Sequence, residues 1–470
     1  MSHPVLTRRN FVKGAAAATA GLALTGVSAA ADRSIKRYTL IGAGVRGSLF
    51  QESIQRTHAD TAELVGVCDI NPGRVQLALA RARGWGAREP AGFGPAELET
   101  FLRSTRTECV VVTTVDSTHD EFIVRALDAG CDVITEKPMT TTAEKCQRIL
   151  DACARNRRHV TVAFNYRYTP MRTQVKELLS TGEIGDILSV DFQWLLDTRH
   201  GANYFRRWHG EKRYSGGLIV HKATHHFDLV NWWLSAVPVT VTGRGARQFY
   251  TPETARRMGL SGDNLRCRGC RDAAACSFHI DLEKSSNLRK FYLQNEHFDG
   301  YIRDQCVFGR RIDIEDSMSA LVQYDTGALL TYSLNAFNAW EGCIVAFNGT
   351  KGRLEHMARE SDDQGAAVEE DTKTRIISLR GQIKDVVPRK GRGGHGGGDP
   401  VMMADLFGAK SAGDPLLRKS DERGGAASIL VGVAANQSFV TGKAVVIADL
   451  VTGWSRPEFP PMPGRSLPLT

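Results

Sequence analysis

A strand read from Ile35 to Ile41 runs straight into Gly42-Ala43-Gly44-Val45-Arg46-Gly47, which opens a helix. No other stretch constrains the chain as much. Gly42 permits the tight turn, Gly44 lets the backbone approach a pyrophosphate, and Gly47 lets helix and strand pack closely. The motif alone is weak, and its context decides what it is worth. A second strand, Glu63 to Cys68, ends in Asp69. A carboxylate there can accept hydrogen bonds from ribose hydroxyls and repels a 2′-phosphate, which favours NAD over NADP. Arg46 and Arg74 lie nearby and soften that preference. The plainer reading of Asp69 is a turn former before Asn71-Pro72-Gly73, but the upstream glycines favour the cofactor.

The alternation of strand and helix continues. Cys109 to Val115 reads as a strand buried on both faces. A helix from Thr118 and His119 to Asp128 follows, then a strand from Cys131 to Thr135 that ends in Glu136-Lys137-Pro138. A helix from Thr142 to Asn156 and a strand from His159 to Phe164 complete a doubly wound α/β sheet. Ligands of such sheets sit at the carboxyl ends of the strands. Gly42, Gly44, Val45, Arg46, Gly47, Asp69, Arg74, Thr114, Thr118, His119, Glu136 and Lys137 are therefore the expected cofactor contacts.

The chain has 470 residues, enough for two lobes with their own cores. Of its formal charge of +8, Arg8, Arg9 and Lys13 supply three, leaving +5 from Asp32 onward. That excess forms no basic helix or aromatic-basic stripe, so nucleic acid is not an expected partner. Arg8-Arg9 precedes a mild Ala/Gly/Thr run that ends in Ser28-Ala29-Ala30-Ala31. This resembles a twin-arginine export signal over residues 1–31, too poor in Leu, Ile and Phe to be a stable membrane span. A periplasmic or otherwise exported protein is expected. The remaining divisions are a Rossmann domain at 32–160, an α/β domain at 161–455 and a Pro-rich tail at 456–470 that wraps the first lobe.

Gly42–Gly47, Asp69, Glu136-Lys137-Pro138 and Asn165-Tyr166-Arg167-Tyr168, in this order, resemble the glucose–fructose oxidoreductase/inositol dehydrogenase/MocA family. The resemblance implies a second α/β lobe with a large, open, mostly antiparallel sheet. It implies a small-molecule sugar, polyol or glycoside as substrate, and a homo-oligomer is expected. It also implies a catalytic set of Lys137 with an acid and a His or Tyr four residues apart. Setting the family's pattern on Gly216-Gly217 and Asp228 places His221 and His225 there, on one face of a helix read from Leu218 to Leu234. His225 fits as the base. His221 stands where an Asp is usual, and a second imidazole cannot raise its neighbour's pKa as a carboxylate does. Lys222 and His226 lie about 100° round the helix from that pair and are expected, with Tyr166, Arg167 and Trp208, to meet substrate. His221 and His225 also have workable metal spacing, but no third ligand stands out and the metal question stays open.

His395 and Asp399, in Arg392-Gly393-Gly394-His395-Gly396-Gly397-Gly398-Asp399, resemble a His-Gly-Gly loop that faces the sugar in the family's glycosidase-like branch. Cys267, Cys270 and Cys276 lie in an irregular insertion where no core needs Cys. They can hold zinc, with Cys306 or His279 as a fourth ligand, or form a disulfide after export. Three functions fit: an exported NAD-dependent oxidoreductase that keeps and recycles its cofactor, a glycosidase working by transient oxidation, elimination and re-reduction, and a non-catalytic sugar-binding relic. Lys137 and His225 argue against the third.

Overall fold

The computed structural model describes residues 35–361, 371–409 and 413–463. The export signal read at 1–31 and the end of the Pro-rich tail lie outside the described residues. The first sheet has seven strands. They are β1 (Lys36–Ile41), β2 (Ala62–Cys68), β3 (Ala91–Phe93), β4 (Cys109–Val112), β5 (Asp132–Thr135), β6 (Val160–Val162) and β15 (Ser420–Asp421), in the order β15-β6-β5-β4-β1-β2-β3. All pairs are parallel except β15 with β6. The order reverses between β1 and β4, the point at which such sheets take ligands. Every residue of β4 is buried, as a strand covered by helices on both faces requires.

The helices between these strands begin where short polar side chains can cap them. The Asn71 side chain accepts from Arg74 N at the start of Pro72–Gly84, with Pro72 in its first turn. Thr142 accepts from Lys145 N at the start of Ala143–Asn156.

The second sheet has nine strands: β7 (Ile187–Asp197), β8 (Pro238–Ala246), β9 (Ser317–Tyr324), β10 (Leu329–Asn338), β11 (Glu341–Gly349), β12 (Gly352–Ser361), β13 (Lys373–Ser378), β14 (Ile383–Val386) and β16 (Val445–Val446). The order is β14-β13-β12-β11-β7-β10-β9-β8-β16, antiparallel throughout except for β10 with β7. Along β9, buried positions alternate with exposed ones, so one face packs on the core and the other is open. The buried face receives the helix Ala223–Leu234, every residue of which is buried.

Three features depart from the sequence reading. The chain returns late to the first lobe, adding β15 to its edge before the helix Glu422–Thr441, which Asp421 caps through Arg423 N and Gly424 N. The expected helix 218–234 is two helices, Leu218–His221 and Ala223–Leu234, separated at Lys222. The tail wraps the second lobe rather than the first. Arg456 pairs with Asp325, and the Pro460 carbonyl accepts from Ser235 Oγ at 2.6 Å.

A bidentate ion pair joins the turn after β6 to the helix Ala223–Leu234. Arg167 Nε and Nη2 donate to Asp228 at 2.8 and 2.6 Å, with both side chains almost wholly buried. Removing one partner strands the other charge out of water. Asp228→Ala should lower folding stability by about 3–5 kcal/mol. Chemical denaturation of the two proteins measures this, and an unchanged midpoint would show the pair to be dispensable.

Candidate active site

The site assembles at the carboxyl ends of the parallel strands. After β1, the turn is crowded on one side and open on the other. A Cβ on Gly42, which has φ +95°, would lie 2.6 Å from the Thr113 carbonyl oxygen, and one on Gly47 would lie 2.2 Å from that of Gly42. At Gly44 a Cβ would meet nothing within 4 Å. The helix Val45–Glu52 begins there without a side-chain cap, leaving its first N–H groups for an anion. The turn thus fits a dinucleotide pyrophosphate. After β2, Asp69 accepts from Ala43 N at 2.7 Å and Asn71 N at 2.8 Å, which fixes its carboxylate beside the turn. Arg74 pairs with Asp299 at 2.7 Å and stands 3.7 Å from Asp69. Thr118 Oγ1 donates to Thr114 Oγ1 at 2.9 Å. His119 is buried and bridges the carbonyls of Pro138 and Thr114, tying the turn after β5 to that after β4.

Lys137, after β5, is the centre. Its Nζ lies 3.5 Å from the His221 carbonyl oxygen. Burial pushes its pKa down to about 8, against the opposing pull of Glu136 and Asp116. Arg46 binds Glu136 through Nε and Asp399 through Nη1 and Nη2, both at 3.2 Å. Asp399 also accepts from Asn165 Nδ2 at 2.8 Å and faces His395 Nδ1 at 2.7 Å. Burial would raise its pKa, but His395 and Arg46 hold it well below the usual carboxylate range. Arg46, expected at the cofactor alone, therefore joins the Gly-rich turn to the His395–Asp399 loop.

The two histidines part company. His221 Nδ1 meets Asp116 Oδ2 at 2.5 Å, and its ring packs edge-on against His209 at 4.3 Å. Trp208 stacks on His209 and lies edge-on to His221 at 5.9 Å. His225 stacks instead on Tyr166 at 4.1 Å, and its Nδ1 is buried without a partner. The i and i+4 positions thus meet different neighbours. Burial, with Lys137 next, holds both imidazoles well below their ordinary pKa, so both are neutral at rest. The acid missing from the family's place at His221 is supplied by Asp116 from the first lobe, whose carboxyl burial pushes well above its usual pKa range against the pull of Lys137 and Arg207.

Lys222 Nζ donates to Tyr166 Oη at 3.1 Å and Glu341 Oε1 at 3.3 Å, while His200 Nδ1 faces Glu341 Oε2 at 2.6 Å. His200 and Lys222 hold Glu341 down to about 2 although burial alone would raise it. Two residues expected at substrate lie in the core instead. Arg167 pairs with Asp228, and His226, fully buried, bonds Tyr332 Oη at 2.7 Å and stacks on Trp194. His200 and Glu341 escaped the sequence reading, which reached Asp116 only as part of the rim segment Thr113–His119 and His209 only as the end of the aromatic and basic run Tyr204–His209.

Two family models match the chain: the oxidoreductase family's NAD-binding Rossmann fold over residues 36–164 and its C-terminal alpha/beta domain over 176–447. A Bacillus subtilis protein named as an oxidoreductase, YteT, is 36% identical over 415 residues, covering 86% of this chain and 95% of that protein. Inositol 2-dehydrogenase of Salmonella typhimurium is 30% identical over 218 residues, 46% of this chain and 60% of that enzyme. Among solved structures, an Agrobacterium radiobacter oxidoreductase in complex with NAD+, L-tartaric acid and magnesium is similar with a TM-score of 0.58. It is 16% identical, over 89% of this chain and all of that one. The WlbA dehydrogenase of Chromobacterium violaceum, with NADH and UDP-GlcNAcA, gives a TM-score of 0.59 at 19% identity, over 88% of this chain and 96% of that one. With its Rossmann lobe, its large mixed second sheet and both family models matched in order, the chain belongs to the Gfo/Idh/MocA family of oxidoreductases.

Proposed function

We propose that this protein is an exported NAD-dependent dehydrogenase acting on a hydroxyl group of a sugar, polyol or glycoside. The observation that carries the reading is the meeting of Lys137 with the His221–Asp116 pair at the strand ends. The Gly42–Gly47 turn would hold the pyrophosphate and Asp69 a ribose of NAD, which when bound supplies the hydride acceptor. With Nδ1 engaged by Asp116, His221 presents Nε2 to a substrate hydroxyl. A neutral imidazole can take that proton, and the carboxylate behind it fixes the tautomer and steadies the imidazolium. The Lys137 ammonium stabilises negative charge on the same oxygen. His225, stacked on Tyr166 with no carboxylate behind it, is the weaker base. Lys222, Glu341 and His200 offer further donors and acceptors for neighbouring hydroxyls. The NAD preference is supported by Asp299, which occupies the Arg74 guanidinium that would otherwise invite a 2′-phosphate.

Incubation with NAD and a panel of sugars, polyols and glycosides, followed by product mass, tests the reading. Loss of two hydrogens supports it, whereas cleavage of a glycoside would make the protein a glycosidase that oxidises only transiently. On the reactive substrate, Asp116→Asn and Lys137→Ala should each lower turnover by about 10²-fold or more with NAD affinity nearly unchanged. Near-normal turnover of Asp116→Asn would pass the role of base to His225.

The pH profile follows from Lys137. Its working form is the ammonium, present below its pKa and lost as pH rises through about 8. Rates with saturating NAD should fall above that pH, and Lys137→Arg, if active, should abolish the fall. If the export signal and the tight site work together, the protein leaves the cytoplasm loaded and recycles its cofactor in place. Denaturing protein purified without added cofactor should then release near-stoichiometric NAD(H), and an empty protein would refute that part.

A further inference from the structure

Between β8 and β9 the chain makes a long excursion whose longest continuous helical run is Ser286–Leu293. One isolated bridge, Arg266 with Gln305, joins its two arms. So few backbone ladders leave its shape to side-chain contacts, and segments of this kind are commonly stapled. Cys267, Cys270, Cys276 and Cys306 line one cavity of about 20 Å³ with Arg206, Phe278 and His279. That space has room for a single ion.

All four thiols are free. Their sulfurs are close enough that Cys267, Cys270 and Cys276 each push up the Cys306 pKa, as Cys267 and Cys270 do that of Cys276. Burial raises the pKa of both Cys276 and Cys306, against a backbone N–H that each receives from two residues on, Phe278 and Phe308, so an ion must displace the thiol protons to bind. His279 is not the fourth member, because its Nε2 faces the Cys267 carbonyl at 3.3 Å. Among the described residues no group of three or more such side chains stands in coordinating geometry, so the sulfurs must draw inward to bind.

Arg206 separates a metal from disulfides. Its side chain is buried, with Nη1 at 3.6 Å from Cys267 Sγ, Nη2 donating to the Phe278 carbonyl at 2.8 Å and Nε without a partner. No carboxylate pairs with it among the described residues, and a buried cation needs compensating charge. Two disulfides are neutral and leave it uncompensated. A divalent ion that displaces four thiol protons forms a site of net charge −2, which compensates it.

We propose that Cys267, Cys270, Cys276 and Cys306 bind one zinc ion as a closed, structural tetrathiolate. With four protein ligands the ion has no open position for catalysis. Its place in the fold gives it a task. Arg266, just before Cys267, pairs with Glu296 and Asp304. The segment between them reaches the turn after β2, where Asn71 Nδ2 donates to the Asn295 carbonyl at 2.9 Å and Asp299 takes Arg74. The zinc therefore holds this segment over the rim that carries Asp69.

Metal analysis of full-length protein purified without chelator, with a thiol count after denaturation, tests the proposal and needs no substrate. The expected result is about one zinc per chain and no disulfide among the four cysteines. Cys306→Ser and Cys276→Ser should each lose most of the zinc, while Cys153→Ala, which alters a core cysteine outside the cluster, should retain it. Stripping zinc from the wild-type protein should weaken NAD binding by about tenfold, as the cap over the Asp69 rim loosens. If the variants fail to fold, the wild-type metal and thiol counts still decide. Two disulfides, four metal-free thiols, or iron with its visible charge-transfer absorption would each overturn the assignment.

Discussion

The ammonium of Lys137 is a charge taken out of water, and the centre is organised around making that tolerable. Two carboxylates offset it, Glu136 from its own turn and Asp116 from the turn after β4. Neither serves Lys137 alone. Glu136 also holds Arg46, Arg46 holds Asp399, and Asp399 holds Asn165 and His395, while Asp116 holds His221. In a low-dielectric interior such a chain is worth having only when nearly every member is satisfied. The strands set the spacing, since each turn projects from the end of a different parallel strand. The same charges that stabilise the centre therefore join the Gly-rich turn to the loop before Gly398–Phe407.

Two imidazoles four residues apart meet different partners: His221 faces the carboxyl group of Asp116, and His225 stacks on the ring of Tyr166. Lys222 between them is a buried cation held by Glu341 and the ring of Trp194, its Nζ 4.8 Å from the ring centre. The site thus has one imidazole backed by a carboxyl group and another stacked on Tyr166.

What was legible in the sequence follows from how local its physics is. Gly42 and Gly47 are required by backbone crowding within a few residues, and the Rossmann strand order follows from alternating apolar runs. The open second sheet came through the family resemblance. Lys137 could be named because Glu136-Lys137-Pro138 is a contiguous word. The His221–Asp116 pair could not be read, because 105 positions separate its members and nothing local marks either as the other's partner. Arg167 and His226 were misplaced for a related reason. Arg167 within a family-like motif and His226 on a buried helix both look functional until their core partners, Asp228 and Tyr332, are known.

The ribose end of the cofactor site shows how distant segments alter a local motif. From the turn alone, Arg74 reads as a group that could welcome a 2′-phosphate. In the folded chain its guanidinium is flanked by the rings of Tyr292 and Tyr301, donates to the Phe291 carbonyl and pairs with Asp299. Asp69 and Asp299 together outweigh its single positive charge, so the local balance is one net negative charge. A 2′-phosphate placed there would meet repulsion on a partly buried rim, where salt screens little. Every one of those contacts comes from the excursion between β8 and β9. The proposed preference for NAD therefore rests as much on what holds that excursion in place as on the residues of the Rossmann turn.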